Sequence, residues 1–259
     1  MQYLNRIISS KISQKPCVVS IGTFDGVHCG HKHLLNAAKE LARAKNAELV
    51  VFSFTDTPRQ KISSSLHKRI LLERAGVNIL LEVPLVSVSQ IHAVGFLEIL
   101  ETMFDIAGWA VGEDVSFGHK RSGDKDLLYQ HAKTHGQSTV FVQKIAISHE
   151  IISSTFIRNC IQRGDVAYAS TLLGRPYSLV IQNPQPAVRL HISDGEMCLP
   201  PPGIWEASIS PLGSQEVYPA VGRIQTFGMD LFSQQSVLQS EEPIEVFVLR
   251  RLAASVDML

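Results

Sequence analysis

Two histidines separated by two residues carry the clearest chemical signal in this chain. They close the stretch Gly22-Thr23-Phe24-Asp25-Gly26-Val27-His28-Cys29-Gly30-His31. An imidazole can donate a hydrogen bond to a phosphate oxygen. Gly22, Gly26 and Gly30 let the backbone approach a ligand closely and take up dihedrals closed to other residues. The stretch follows a short apolar run, Cys17-Val-Val-Ser-Ile21, and leads into His31 to Lys45, where Leu34, Leu35, Ala38, Leu41 and Ala42 recur at helical spacing. A turn between a strand and a helix start sets unpaired N–H groups and the positive end of the helix dipole at one place, which suits an anion. A lone histidine there reads as a cap; a pair among three glycines reads as a phosphate site. His33 adds a third histidine, but no nearby carboxylate-and-histidine set completes a metal site, so none of these residues is read as a metal ligand.

A second string, Ile152-Ser-Ser-Thr-Phe-Ile-Arg158, opens a helix with hydroxyls and free N–H groups, and Arg158 can aim a planar cationic fork at polyphosphate from a turn further on. By itself it also fits an ordinary Ser/Thr cap with a surface arginine. A third string, Gly112-Glu-Asp-Val-Ser-Phe-Gly118 with Arg121 and Gly123, has the texture of a polar loop after a strand. A fourth is Ser53-Phe-Thr-Asp-Thr-Pro58-Arg59.

The elements that must position these strings alternate in type. Strands are predicted at Cys17 to Ile21, Glu48 to Phe54, Asn78 to Leu85, Trp109 to Gly112 and Thr139 to Gln143. Helices are predicted at His31 to Lys45, Leu66 to Ala75 (stopped by Gly76), Gly95 to Phe104 and Asp124 to His135. That order implies βαβ units, a parallel sheet with helices on both faces, and ligands beyond the carboxyl ends of the strands. Two short helices follow, Ser154 to Gln162 and one capped by Asp165 that runs to Leu173. From Tyr177 the texture changes. Pro184, Pro186, Pro200, Pro201, Pro202, Pro211 and Pro219 exclude long helices, and Ile204 to Ile209 and Ile244 to Leu249 read as strands of a smaller β domain. The fold class expected is α/β: a Rossmann-like parallel-sheet domain over 1–176 and a smaller β-barrel-like domain over 177–259.

Composition bounds the partners. The 259 residues carry 24 Lys plus Arg and 24 Asp plus Glu, a formal net charge of zero. That argues against a nucleic-acid binder or a polybasic membrane anchor, and leaves room for a small anionic substrate held by local charge. The 45% hydrophobic fraction is ample for a core. No apolar run approaches the roughly 18 residues of a membrane span, and Met1 to Ser13 lacks the apolar stretch of a signal peptide. Cys17, Cys29, Cys160 and Cys198 form no C-x-x-C pair, which is expected of free thiols in a reducing cytoplasm. Oligomeric state is not legible.

His28-Cys-Gly-His31 resembles the H-x-G-H signature of the nucleotidylyltransferase superfamily. The longer string from Gly22 to Leu35 resembles the prokaryotic bifunctional riboflavin kinase/FAD synthetase family. Ile152 to Arg158 is similar to that family's I-S-S-T-x-I-R element, Gly112 to Gly123 to its G-x-D-F-x-F-G-x-x-R-x-G with Val115 for the first Phe, and Arg163 to Tyr177 to the end of its transferase domain. The resemblance covers Lys15 to Tyr177. Ser53 to Arg59 departs from the family's T-F-x-P-H-P: Asp56 and Thr57 stand where Pro and His are usual.

The resemblance implies transfer of AMP from ATP to FMN, giving FAD and pyrophosphate. His28 and His31 would hold the α- and β-phosphates, within a loop in which Gly22, Thr23, Phe24, Asp25 and Gly30 bind nucleotide. Ser153, Ser154, Thr155 and Arg158 would hold the β- and γ-phosphates. Phe54, Asp114, Phe117 and Arg121 would shape the nucleotide or flavin pocket. Mg²⁺ would neutralise polyphosphate, held largely by substrate oxygens and water. In the family the C-terminal part is a riboflavin kinase with a G-F-P-T-A-N segment. Here Val180 to Pro200 has no P-T-A-N and Gly195 as its only glycine. Two other readings stay open: a bifunctional enzyme that also phosphorylates riboflavin, and a flavin- or nucleotide-binding protein without catalysis.

Overall fold

A computed structural model of the chain describes residues 1–56, 60–181, 189–191, 197–225, 228–233 and 243–253. Thr57, Pro58, Pro184, Pro186, Gly195 and Phe227, all used in reading the sequence, lie outside the described residues. The chain divides into two compact units: Met1–Pro58 with Arg69–Ala146, and Arg59–Lys68 with Ile147–Leu259.

The first unit is built on β1 (Gln2–Leu4), β2 (Pro16–Ile21), α1 (Cys29–Ala44), β3 (Glu48–Phe54), the later part of α2 (Ser65–Arg74), β4 (Ile79–Val83), α3 (Ala93–Met103), β5 (Asp105–Gly112), α4 (Lys125–Thr134) and β6 (Ser138–Val142). Its six strands are ordered β1-β4-β3-β2-β5-β6, and every pairing is parallel. Period-two alternation sends alternate residues to two apolar layers. Cys17, Val19, Ile21, Val50 and Phe52 pack with Phe96, Leu97, Leu100 and Leu128 of α3 and α4. Val18, Leu49 and Val51 pack with Leu34, Leu35 and Ala38 of α1 and with Leu71 and Leu72 of α2. Strands covered on both faces read as nearly continuous apolar runs, as β2 and β3 do. The predicted parallel sheet between two helical layers is therefore present.

From β2 the chain winds through β3 to β4 on one side, then returns to lay β5 and β6 on the other. Strand order reverses between β2 and β5, the place where open α/β sheets bind ligands beyond the carboxyl ends of their strands.

The second unit holds α5 (Ser154–Arg163), α6 (Val166–Leu173) and a six-stranded antiparallel sheet. A short hairpin of β7 (Ala146–Ile147) and β8 (Glu150–Ile151) precedes the helices. The sheet's strands are β9 (Ser178–Ile181), β10 (Arg189–His191), β11 (Gly203–Pro211), β12 (Tyr218–Gln225), β13 (Gly228–Phe232) and β14 (Ile244–Ala253), ordered β10-β13-β12-β11-β14-β9. Irregularities between Ile204 and Trp205 and between Glu206 and Ala207 interrupt the β11–β14 ladder, the kind of bulge that raises local twist. Trp205 and Tyr177 are fully buried; the Trp205 indole N–H donates to the Pro201 carbonyl at 3.1 Å and the Tyr177 hydroxyl donates to the Cys198 carbonyl. No disulfide forms among the cysteines. Among the described residues no helix is long and apolar enough to cross a membrane.

Candidate active site

The loop from Gly22 to His28 leaves the carboxyl end of β2, at the reversal point. The Gly22 N–H donates to the Phe52 carbonyl at 3.1 Å, extending the β2–β3 ladder by one step. The chain then bends through positions that ordinary residues avoid. Phe24 takes φ 48°, Gly26 φ 76° and Val27 φ 39°. A left-handed conformation costs an L-residue about 1–2 kcal/mol, and for a β-branched valine it is a genuine outlier. The cost is offset by burial: the Phe24 ring is 0% exposed and Val27 1%, both packed with Leu34 and Leu35 of α1. The Phe24 side chain therefore belongs to the core, and what it offers a ligand is backbone. Strain of this kind, fixed by the surroundings, is characteristic of ligand-binding loops.

The loop delivers His28 to the N-cap of α1 in an extended conformation (φ −73°, ψ 174°). Its Nδ1 accepts from the His31 backbone N–H at 3.3 Å, and its carbonyl accepts from Lys32 N–H at 2.9 Å. The two imidazoles stack with centroids 3.6 Å apart and planes at 15°. The Phe24 ring lies 5.1 Å from the His31 ring, tilted at 46°. His28 is buried and His31 half-buried. The structure thus brings together both histidines, Gly30 in the first turn of α1, and the Gly22–Asp25 segment. Thr23 is exposed and Asp25 half-buried. Ser53, not singled out from the sequence, is fully buried on β3 and donates its hydroxyl to the Thr23 carbonyl at 3.0 Å. A buried serine in a strand carries no local signature, so only the fold reveals this brace.

Phe54 ends β3, half-buried, with its ring 5.4 Å from Phe52. Asp56, where the family has proline, accepts from the Leu85 N–H and so fastens the turn after β4. Beyond β5, Asp114 is exposed and pairs with Lys144 at 2.7 Å, a contact worth at most about 1 kcal/mol in water. Phe117 is 6% exposed, packs on Phe96 at 6.0 Å and exchanges both backbone hydrogen bonds with Gly123. It anchors the loop that presents Arg121, which is exposed with φ 60°. Ser153, in the other unit, caps α5: its hydroxyl accepts from Phe156 N–H at 3.2 Å, and its carbonyl accepts from Ile157 N–H at 3.0 Å. Ser154 and Thr155 form the first turn. One turn on, the Arg158 guanidinium donates to the Thr155 hydroxyl at 3.5 Å.

A parallel sheet carries, at its reversal point, a glycine-containing loop and paired histidines at the start of a helix, an arrangement suited to an anion. Sequence comparison makes this particular. The sequence model of the FAD synthetase family matches residues 10–156, more than half of the chain, and the chain belongs to that family. The FAD synthetase of Listeria monocytogenes is 31% identical over 182 residues, 65% of this chain and 74% of that protein. The bifunctional riboflavin kinase/FMN adenylyltransferase of Escherichia coli K12 is 30% identical over 181 residues, 66% of this chain and 58% of that protein. The enzyme of the same description from Buchnera aphidicola is 29% identical over 191 residues, 69% of this chain and 61% of that protein. The chain spans about three fifths of the length of these two bifunctional relatives. A solved structure described as a macrolide-efflux protein from Streptococcus pneumoniae superposes with a TM-score of 0.82 over 100% of this chain and 93% of that one, at 20% identity, a likeness of fold.

Proposed function

We propose that this protein is an FMN adenylyltransferase, transferring AMP from ATP to the phosphate of FMN to give FAD and pyrophosphate. The observation that carries the reading is the loop at the sheet's reversal point, where buried Phe24 and Val27 hold two stacked imidazoles over the start of α1. The nucleophile, a phosphate oxygen of FMN, is already ionised at neutral pH, so the chemistry needs positioning and charge stabilisation rather than a strong base. His28 and His31 hold the α- and β-phosphates, with the loop from Gly22 to Asp25 and Gly30 supplying backbone donors. Ser153, Ser154, Thr155 and Arg158 act on the β- and γ-phosphates. Phe54, Asp114, Phe117 and Arg121 border the nucleotide or flavin. Imidazole nitrogens suit phosphate oxygens better than they suit Mg²⁺, so any Mg²⁺ rides on polyphosphate oxygens and water. Residues 1–176 carry this transfer, 177–259 are a reduced riboflavin-kinase-like domain, and the protein works in the cytoplasm on small molecules, without nucleic acid or membrane.

The test is to incubate the pure chain with ATP, Mg²⁺ and FMN and to separate the flavins. FAD is expected. A folded protein that makes none above a no-enzyme control would favour the binding-only reading.

A further inference from the structure

We propose a second site, for zinc, on the helical face of the parallel-sheet unit formed by α3 and α4. This inference is independent of the adenylyltransferase reading. Glu101 of α3, His131 of α4 and His135 at the C-cap of α4 present one carboxylate oxygen and two imidazole nitrogens within 4.8 Å of one another. Residues four apart on a helix lie on the same face, so the His131 and His135 rings stack at 4.2 Å and 26°. Glu101 faces both: His131 Nε2 is 2.9 Å from Oε1, and His135 Nε2 is 3.9 Å from Oε2. Zinc bonds of about 2.0–2.2 Å set tetrahedral ligands roughly 3.3–3.5 Å apart. The three ligand atoms lie within 4.8 Å of one another, a spread that side-chain rotation would close around the ion.

The surroundings supply the outer interactions a zinc site requires. The Nδ1–H of His135 donates to the His131 carbonyl at 2.8 Å, which fixes the tautomer and leaves Nε2 as the ligand atom. Oε1 of Glu101 accepts from the Gln137 amide at 2.8 Å. The Gln137 carbonyl in turn accepts from the indole N–H of Trp109, fully buried on β5, at 2.6 Å. The carboxylate is therefore oriented from the sheet, through a side chain whose own partner cannot move. The His135 side chain is 46% exposed, which gives an ion its path and a water the fourth position. Two imidazoles with one carboxylate suit zinc, whereas Mg²⁺ and Ca²⁺ prefer oxygen donors. Bound zinc would join α3 to α4 and replace the His131–Glu101 hydrogen bond with two metal bonds.

The test titrates the full chain with Zn²⁺ against a chromophoric chelator, and separately with Co²⁺ to read its visible absorption. His33→Gln serves as the control that removes a histidine close to the phosphate loop. One tightly held Zn²⁺ is expected in the wild type and in His33→Gln. Affinity should fall at least about 10-fold in His135→Gln and in Glu101→Gln. Because His135 is half-exposed, its variant should keep the fold, checked by its melting curve without metal. Zinc should raise the melting midpoint of the wild type and not that of His135→Gln. Equal zinc affinity in wild type and His135→Gln, or no zinc taken up by the wild type, overturns the proposal.

Discussion

The rings of His28 and His31 lie face to face, 3.6 Å between centroids, while Nδ1 of the first accepts the backbone N–H of the second. One residue is thus both helix cap and phosphate ligand in the proposed reaction. Because Nδ1 accepts, the neutral His28 ring carries its proton on Nε2, which makes that edge a donor.

This double duty separates the two histidines experimentally. His31→Ala should lower turnover on the order of 10²-fold, with a much smaller change in ATP affinity, because in the proposed reaction His31 is a donor that steadies charge at the transferred phosphate. His28→Ala should lose activity and also about 0.5–2 kcal/mol of stability through the lost cap. His28→Asn should recover the stability, since asparagine caps well, and leave activity low. Steady-state kinetics beside melting curves check both; an active, stable His28→Ala variant would mean that the backbone of α1 suffices.

Arg158→Ala should weaken ATP binding together with rate. A hydrogen bond to a charged group contributes about 1.5–3 kcal/mol, so KM for ATP should rise on the order of 10- to 100-fold. The Ser153 cap of α5 is untouched by this change, so the melting midpoint should hold. Kinetics at varied ATP would show an unchanged KM if Arg158 were only a surface residue.

Much of this arrangement was legible from residue types, and the exceptions have physical causes. Glu48 to Phe54 reads as a strand from end to end because it is β-branched and aromatic between two polar breaks, and it is observed with those bounds. The strand predicted at Trp109 to Gly112 is observed at Asp105–Gly112. Gly108 hides its first half, yet a Cβ there would lie 3.0 Å from the Ser138 carbonyl oxygen of the neighbouring strand and 3.1 Å from Leu41. A residue needed for close packing looks like a strand breaker when read alone. Asn78, read as the start of β4, instead spans two strands, its side chain accepting from Leu49 N–H at 2.8 Å. The edge strand Gln2–Leu4 is too short for any period to show. At the site, the pairing of the two histidines follows from spacing and local turn geometry, whereas the Ser53 brace joins residues 30 apart and needs the sheet.

Gly118 should tolerate no side chain. It has φ +73°, and an added Cβ would lie 2.6 Å from both the N and the Cα of Ala93, which are backbone and cannot swing aside. Left-handed strain and overpacking together predict that Gly118→Ala costs about 2–4 kcal/mol. Chemical denaturation measures this directly. A loss below about 1 kcal/mol would mean that the loop carrying Arg121 shifts freely over α3.

Burial pushes the Cys17 thiol up to about 11 from an ordinary 9.0, despite some relief from Ser13. The folded state therefore holds this proton more tightly than the unfolded chain. Its contribution to stability is complete below pH 9 and is lost as pH rises toward about 11. Denaturation midpoints should decline across that interval, and Cys17→Ala should make the decline shallower. An identical slope in the variant would assign the alkaline loss to other groups.

Riboflavin kinase activity should be absent or very weak. Phosphoryl transfer depends on backbone N–H groups and Mg²⁺ ligands brought close against ATP phosphates. Glycines permit that approach, and a Thr–Asn pair supplies metal ligands in the family's G-F-P-T-A-N segment. Val180 to Pro200 has one glycine, no P-T-A-N, and prolines at 184 and 186 that remove two donors. The antiparallel scaffold itself is intact where it is described: β11 pairs with β12 and β14, and Ile204, Ala207, Ile209, Val246 and Val248 are buried along it. Loss of the kinase would thus be a loss of site, with the sheet retained. Supplying riboflavin, ATP and Mg²⁺ should yield neither FMN nor FAD, while FMN in place of riboflavin yields FAD. Flavin phosphorylation at a rate comparable to the FMN-to-FAD step would restore the bifunctional reading and show that other residues of 177–259 replace the missing segment.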